Sequence, residues 1–403
     1  MGNEGANTFV VAGIVALIVA SGIGRIAASI GFPIPNQARR LGCVDGLRGY
    51  LALFVMVYHF ALWSLSTRNG EPWQRPESGL LDSLGPGSVN LFFMVTGFVF
   101  YPQILVGFKD TSWNAVYISR VFRILPLVAV SIILIAVTIL IRLDFSPASS
   151  WSTTAFAALA WLTSWDQPPL FGYADSASLN AGVFWSLRYE WLFYIVVLPI
   201  AAMAMDFVRR IGALTATVPV IILIMGLIIP KIYGVPTLFN YLPMFACGML
   251  GYEIAQTRLR TYLASSTFSA PLLIIFVIGL FAGHTYGPLR FLCHAIFFVG
   301  VACGNSIFGI LKNRGALVLG EGSYAIYLLH GYVLNLLFVS ATGIAVAGPI
   351  TASILLLPAV AIAVCLFALA SFKFIELPMI LLGKRLIQRT TRRVHIAMQL
   401  TPK

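Results

Sequence analysis

Runs of apolar residues long enough to cross a membrane follow one another along almost the whole chain. A bilayer core about 30 Å thick is spanned by about 20 helical residues, because each residue adds about 1.5 Å. Of the 403 residues, 59% are hydrophobic and only 10% are charged. Backbone polar groups inside lipid must pair within the chain, so such runs fold as helices. We therefore predict an all-α fold, a polytopic bundle of transmembrane helices.

Length and flanking charge divide the chain into eleven predicted spans, one before Arg40 and ten after it. They cover residues 8–30, 41–65, 87–107, 119–142, 184–205, 211–230, 237–256, 269–284, 288–311, 317–340 and 347–374. A further apolar stretch, Trp151–Trp165, is too short to span and is expected at the interface or as a re-entrant segment.

Basic residues predict the orientation, because short cytoplasmic loops carry an excess of Lys and Arg. If Arg39 and Arg40 are cytoplasmic, alternation of the spans places most other loop cations on the same side, with the basic tail. The connection 143–183 contains no Lys or Arg and falls on the opposite side. We expect a multi-pass protein of the cytoplasmic membrane, with its N-terminus outside and its C-terminus inside. The net charge of +12 reflects these flanks, so we expect no nucleic-acid partner.

The five cysteines all fall inside apolar segments, and none has a metal-ligand spacing. We interpret them as small buried apolar residues, without a disulfide role. No metal site is predicted.

The segment 41–65 carries an arginine and a histidine in its interior. Charged groups within a membrane span cost about 2.5–3.5 kcal/mol on insertion scales, so they usually mark a functional site. Arg48 and His59 are eleven residues apart, which is about three helical turns and about 16 Å along the axis. Both should therefore project from one face, at different depths.

Depth along the other predicted spans suggests a cluster of cations near the cytoplasmic side. Arg120 and Arg123 lie at i and i+3 near the start of their span, at about the depth of Arg48, and Asp45 precedes Arg48 by one turn. Three planar guanidinium groups suit a ligand rich in phosphates.

A second predicted cluster lies toward the outer side. Glu190 is expected at about the depth of His59, with Arg188 and Tyr194 nearby, and His330 falls in the middle of its span. A histidine beside a carboxylate suits general base catalysis on a hydroxyl group. Together the clusters suggest a coenzyme A thioester bound by its phosphates, whose pantetheine arm carries the acyl group to His59.

Each residue also has an ordinary structural interpretation. Arg48 can pair with Asp45, and arginines 120 and 123 can be basic flanks of a span. His59, Glu190 and His330 can be packed or ion-paired core residues. Glu376 is interpreted as an anchor that pairs with a basic residue.

Six blocks in order resemble the integral-membrane acyltransferase family 3. They are Arg48 and His59 with ten residues between them, Phe92–Phe98 with Thr96 where the family usually has Ser, Arg120-x-x-Arg123 with Pro126, Trp185-Ser186-Leu187 with Glu190 and Tyr194, Ser323–His330, and Ile375-Glu376-x-Pro378. The resemblance implies a ten-helix acyltransferase domain at 41–385. Residues 1–40 are then an extra transmembrane helix with its linker, and 386–403 a basic cytoplasmic tail.

By the same resemblance, Arg48, Arg120 and Arg123 bind acyl-CoA, and His59 and Glu190 are catalytic. His330 and Tyr194 are further candidates. The implied co-substrate is acetyl-CoA or another acyl-CoA, and the implied acceptor is a hydroxyl of a surface or exported glycan or of a lipid-linked sugar.

We therefore predict a membrane O-acyltransferase, most simply an O-acetyltransferase. The buried charges also fit a proton-coupled transporter or exporter, in which they would form a relay. A third hypothesis is a scaffold for glycan assembly without catalytic activity. Direct transfer and an acyl-enzyme intermediate both fit the residues.

Overall fold

The computed structural model describes residues 3–34, 40–69, 79–233, 238–282, 287–340 and 353–400. All regular elements in these ranges are helices, and Leu170 and Tyr173 form an isolated β-bridge. The predicted all-α, polytopic fold is confirmed.

The described part of the first half of the chain contains seven helices, of which the first four have 27 to 30 residues. They are α1 Asn3–Ser29, α2 Gly42–Asn69, α3 Gly79–Val106, α4 Trp113–Arg142, α5 Trp151–Leu162, α6 Trp185–Leu192 and α7 Leu198–Arg210. A π-helical turn, Phe193–Val197, joins α6 to α7 without a break, and a 3-10 segment, Ser176–Asn180, precedes α6.

The second half contains shorter elements. The helices are α8 Thr217–Tyr233, α9 Leu242–Ala255, α10 Leu259–Leu263, α11 Ser269–Phe281, α12 Pro288–Ala302, α13 Arg314–Glu321, α14 Ser323–Asn335, α15 Leu357–Ser371 and α16 Leu377–Leu400. Two π-helical segments, Leu336–Ser340 and Phe372–Glu376, extend α14 and join α15 to α16. Three 3-10 segments, Leu238–Asn240, Ser266–Phe268 and Ile310–Lys312, lie in the connections.

Six helical units in the described part of the chain are long and apolar enough to cross a membrane. They are Thr8–Ser29, Gly42–Ser66, Gly79–Val106, Trp113–Arg142, Trp185–Arg210 and Leu357–Arg389. The chain is therefore a multi-pass membrane protein. The predicted span 347–374 begins in residues outside the described ranges, and the helical unit that contains its second half runs to Arg389, beyond the predicted end at 374.

The predicted straight span 317–340 is wrong. The chain bends by 72° between α13 and α14. Gly322 lies at the bend, and glycine is among the poorest helix formers. The bend directs Glu321 and Ser323 into the interior described below.

The predicted span 269–284 is an apolar helix of the same length, Ser266–Phe281. Three other predicted spans are shorter than expected, with apolar helices at Thr217–Ile232, Leu242–Ala255 and Pro288–Ala302. The last was predicted to reach residue 311. It ends early because the chain turns at Gly304, whose φ of +109° is accessible mainly to glycine.

Helix α2 lies at the centre of the bundle. It packs against α3, α13 and α14 and against the segment Ile310–Lys312. Gly46 and Gly49 allow this contact, because a Cβ atom at either position would collide with the backbone near Leu311 or Gly320. The helix that carries Arg48 and His59 is thus held on several sides.

The N-terminal helix α1 packs against α13 and α15. Ser21 donates a hydrogen bond to Oδ1 of Asn313 at 3.2 Å, and Gly24 and Gly315 meet backbone to backbone. The opposite face exposes apolar side chains such as Ile18 and Ile26. This helix is therefore an integral part of the bundle.

Candidate active site

A cavity of about 750 Å³ lies between α2, α3, α4, α6, α14 and α16. Its walls combine apolar and aromatic side chains with charged groups. The cations that line it are Arg40, Arg48, Arg120, Arg123 and Lys384, and the carboxylates are Asp45, Glu190 and Glu321. The three arginines predicted as one cluster do converge on one site.

Arg48 belongs to a network of charges at the start of α2. Its Nη1 lies 3.9 Å from Oδ1 of Asp45. The same oxygen accepts a hydrogen bond of 2.7 Å from Arg40, and Arg40 also binds Glu321 at 2.5 Å. Arg40 therefore links α2 to α13. Because Asp45 and Glu321 bind Arg40 more closely, the Arg48 guanidinium is only loosely paired.

Arg120 is held by an aromatic wall. Its guanidinium carbon lies 5.0 Å from the ring centroid of Phe100 and 5.9 Å from that of Tyr194. Its Nε and Nη2 donate to the hydroxyl of Ser119 at 3.2 Å. Cation–π contacts orient a guanidinium and leave other N–H groups available to a ligand.

Glu190 and Tyr194 also line this cavity. The Tyr194 hydroxyl donates to Oε2 of Glu190 at 3.4 Å, and Arg120, Arg48 and Arg123 all act electrostatically on the carboxylate. The prediction that Glu190 and Tyr194 form an outer cluster with His59 is therefore wrong.

The reason lies in the connection that precedes α6. Its 3-10 segment packs between α4 and α14. Asn180 is fully buried there, donates to Ser131 at 3.1 Å and meets Gly331. Because this segment is packed between α4 and α14, α6 begins inside the bundle and not at its surface, and Glu190 lies with the arginines.

Glu376 is a residue whose position the sequence did not indicate. It ends the π-helical segment between α15 and α16 and is fully buried. Neither carboxylate oxygen has a hydrogen-bond partner among the described residues, while Arg123 and Arg48 act on it electrostatically. The expected pairing of Glu376 with one basic residue is not found in the described part of the chain, and the carboxylate lies instead within the electrostatic range of two arginines of the cluster. The Ile-Glu-x-Pro block was the only signal in the sequence.

His59 forms a pair with His330. Nδ1 of His59 lies 2.8 Å from Nε2 of His330, and the two rings stack with centroids 5.0 Å apart. Nδ1 of His330 lies 2.9 Å from the carbonyl oxygen of Ile326. A carbonyl only accepts, so Nδ1 of His330 carries a proton.

The tautomers of the neutral pair follow from this pattern. Nε2 of His330 accepts, and Nδ1–H of His59 donates to it. The basic lone pair of His59 is then on Nε2, assigned from the hydrogen bonds. His330 is fully buried and His59 is partly exposed, so His59 is the member that a substrate can reach.

An aromatic boundary separates the histidine pair from the cavity. Tyr327 lines the cavity and lies one turn before His330, with ring centroids 6.1 Å apart. Phe92, another lining residue, contacts Tyr327 at 6.0 Å. The Tyr327 hydroxyl is 2.7 Å from that of Ser186. His59 and His330 are not among the lining residues of the cavity, so the two groups adjoin through this boundary.

Arg188, predicted near the outer cluster, lies elsewhere. It donates to the carbonyl oxygen of Trp165 and stacks on that indole at 5.5 Å. It anchors the connection that precedes α6.

The fold and the cavity define a multi-pass membrane protein in which a cationic site adjoins a hydrogen-bonded histidine pair. A comparison with protein families matches residues 41–372 to acyltransferase family 3, described as an acyltransferase domain. The chain belongs to this family, and it is a membrane acyltransferase. The searches of curated proteins and of solved structures each returned no match.

Proposed function

We propose that this protein transfers an acyl group, most simply acetyl, from acyl-CoA to a hydroxyl group of an exported or surface glycan. The observation that carries the proposal is the convergence of Arg48, Arg120 and Arg123 on one cavity that ends beside the His59–His330 pair.

The charge of the cavity supports a donor that carries several phosphates. Five cations and three carboxylates line it, and two of those carboxylates pair with Arg40. Arginine forks bind phosphate oxygens through paired, charge-assisted hydrogen bonds. The apolar inner wall, with Phe92 and Tyr327, suits the pantetheine arm and a short acyl chain.

The histidine pair supports base catalysis. His59 Nε2 accepts the proton of the acceptor hydroxyl while the oxygen attacks the thioester carbonyl. The tetrahedral intermediate collapses with cleavage of the carbon–sulfur bond, and the departing thiolate takes the proton back from His59. His330 orients His59 and carries no bond to the substrate. An acyl group held first on His59 Nε2 uses the same geometry, and trapping of an acylated enzyme distinguishes the routes.

The loop charges support donor binding from the cytoplasm. Arg40 and Lys384, at the rim of the cavity, are on the side that the positive-inside rule assigns to the cytoplasm. The start of α2 and Arg48 then face the cytoplasm, and His59 lies farther toward the outer side, where the acylated product emerges.

The test compares wild type with His59→Ala at matched expression. Ester-linked acyl groups on surface and exported glycans are measured by mass spectrometry, with His395→Ala in the tail as a matched histidine control. We expect an ester in wild type and control and none in His59→Ala. Equal ester content in all three contradicts catalysis by His59.

The bend between α13 and α14 is a feature that transporters also use, since broken helices often line their sites. If esters are unchanged while export of a glycan depends on His59, the transporter function replaces the acyltransferase.

A further inference from the structure

The last helix, α16, forms one wall of the cavity. Leu377, Ile380 and Lys384 line it, and their i, i+3, i+7 spacing places them on one helical face. This face runs from the half-buried apolar side chains of Leu377 and Ile380 to the exposed Lys384. The helix thus adds one cation at the rim.

The position of Lys384 is fixed by close packing beside it. Gly383 meets Phe122 of α4, and a Cβ atom on Gly383 would lie 2.9 Å from that of Phe122. Phe122 directly precedes Arg123. The backbone of Lys384 is therefore held at a set distance from the arginines of α4.

The two cations of the rim differ in their partners. Arg40 is bound by Asp45 and Glu321. Lys384 forms no ion pair or hydrogen bond with any residue that the structure describes. An exposed ammonium without a carboxylate partner that faces an anion-binding cavity is available to a ligand.

Acyl-CoA carries its phosphates in two places: a diphosphate between the pantetheine and the ribose, and a phosphomonoester on the ribose. The diphosphate lies nearer the thioester, so the deeper arginines suit it, and the phosphomonoester must lie farther out. Resting on the proposed function, in which acyl-CoA is the donor, we propose that Lys384 binds the ribose 3′-phosphate and makes the enzyme select coenzyme A over 3′-dephospho-coenzyme A.

Lys384 lies beyond the region 41–372 that the acyltransferase family covers. A lipid headgroup phosphate could bind a lysine at the end of a membrane helix in the same way. Substitution of Lys384 separates the two ligands, because only a contact with the 3′-phosphate affects CoA and dephospho-CoA differently.

The experiment measures binding of CoA and of 3′-dephospho-CoA to the full chain in nanodiscs by titration calorimetry. The variants are Lys384→Gln, the charge-conserving Lys384→Arg, and Arg385→Gln as a neighbouring control that does not line the cavity. We expect wild type to bind CoA about fivefold more tightly than dephospho-CoA, the effect of one partly screened charge pair.

Lys384→Gln should weaken the binding of CoA but not of dephospho-CoA, so that the two affinities become equal. Lys384→Arg and Arg385→Gln should keep the preference for CoA. Equal weakening of both ligands assigns the lysine to lipid or to folding and overturns the inference. An unchanged preference in Lys384→Gln also overturns it, as does failure of the wild type to bind CoA.

The same preparations separate this inference from the proposed function. Selective CoA binding without any acyl transfer supports the Lys384 site and rejects the acyltransferase reaction proposed above. Acyl transfer that needs His59 but does not depend on the 3′-phosphate supports the acyltransferase reaction and rejects the Lys384 site.

Discussion

The arginine cavity and the histidine pair adjoin across the Phe92–Tyr327 boundary, yet they are built in opposite ways. In the cavity, cations outnumber carboxylates, and Arg48 is only loosely paired, with Asp45 at 3.9 Å. In the histidine pair, a chain of hydrogen bonds runs from His59 through His330 to the Ile326 carbonyl. An incompletely paired site is suited to taking up a charged ligand, and a pre-oriented neutral pair is suited to moving a proton. Under the proposed function, donor binding belongs to the cavity and proton transfer belongs to the histidine pair.

The largest expected effect is on turnover in His59→Ala. Removal of a general base typically costs about 10²–10⁴ in rate. The variant should lose kcat by this factor and still bind CoA like wild type, because His59 does not line the cavity. An acyl-transfer assay measures kcat, and a CoA titration of the same nanodisc sample measures donor binding. Loss of CoA binding would show that the two regions are not separate.

The second effect is on donor affinity. Arg120→Gln and Arg123→Gln should each weaken CoA binding about tenfold or more, since a charge-assisted hydrogen bond contributes about 1.5–3 kcal/mol. The fall in kcat at saturating donor should be small. Titration of CoA measures the affinity, with Arg385→Gln as the control. A normal CoA affinity in both variants would contradict a phosphate site in this cavity.

The third prediction concerns His330 as a positioning residue. His330→Ala removes the acceptor of the His59 Nδ1–H bond, and we expect kcat to fall about tenfold or more because the ring and its tautomer are no longer held. His330→Gln, which can still accept a hydrogen bond, should recover part of the rate. The pH profile of kcat should shift in His330→Ala and remain close to wild type in His330→Gln. Equal kcat losses and unshifted profiles in both variants would instead indicate a packing role.

The smallest effect distinguishes two roles for Glu190. If it organises the arginines, Glu190→Gln should raise KM for acyl-CoA up to about tenfold, because the neutral amide no longer balances the repulsion among three guanidinium groups. The pH profile of kcat should not change. A shifted profile with unchanged KM would restore Glu190 as a partner of the catalytic base.

Much of the architecture was predictable because lipid restricts the backbone so strongly. Apolar length alone predicted the helical bundle, and charges within those lengths indicated Arg48, Arg120, Arg123 and His59 as candidate site residues. The wrong positions share one cause, because a depth estimated from sequence assumes straight helices that start at the membrane surface. The connection before α6, packed between α4 and α14, and the bend at Gly322 break that assumption.

The partners of the site residues could not be predicted from the sequence, because they lie far apart along the chain. The contact between His59 and His330 joins residues 271 positions apart, and Glu376 reaches the arginine cluster from the other end of the chain. No local pattern specifies which helix faces meet. Close backbone approaches, such as those at Gly46 and Gly331, decide it.

The sequence by itself determined that this chain is an all-helical membrane protein with cations and histidines at depth, because the cost of burying charge and unpaired backbone in lipid acts residue by residue. Only the tertiary structure decided that Glu190 belongs with the arginines and that His330 supports His59. Those pairings depend on helix packing over long separations, where steric fit between faces, and not local composition, selects the neighbours.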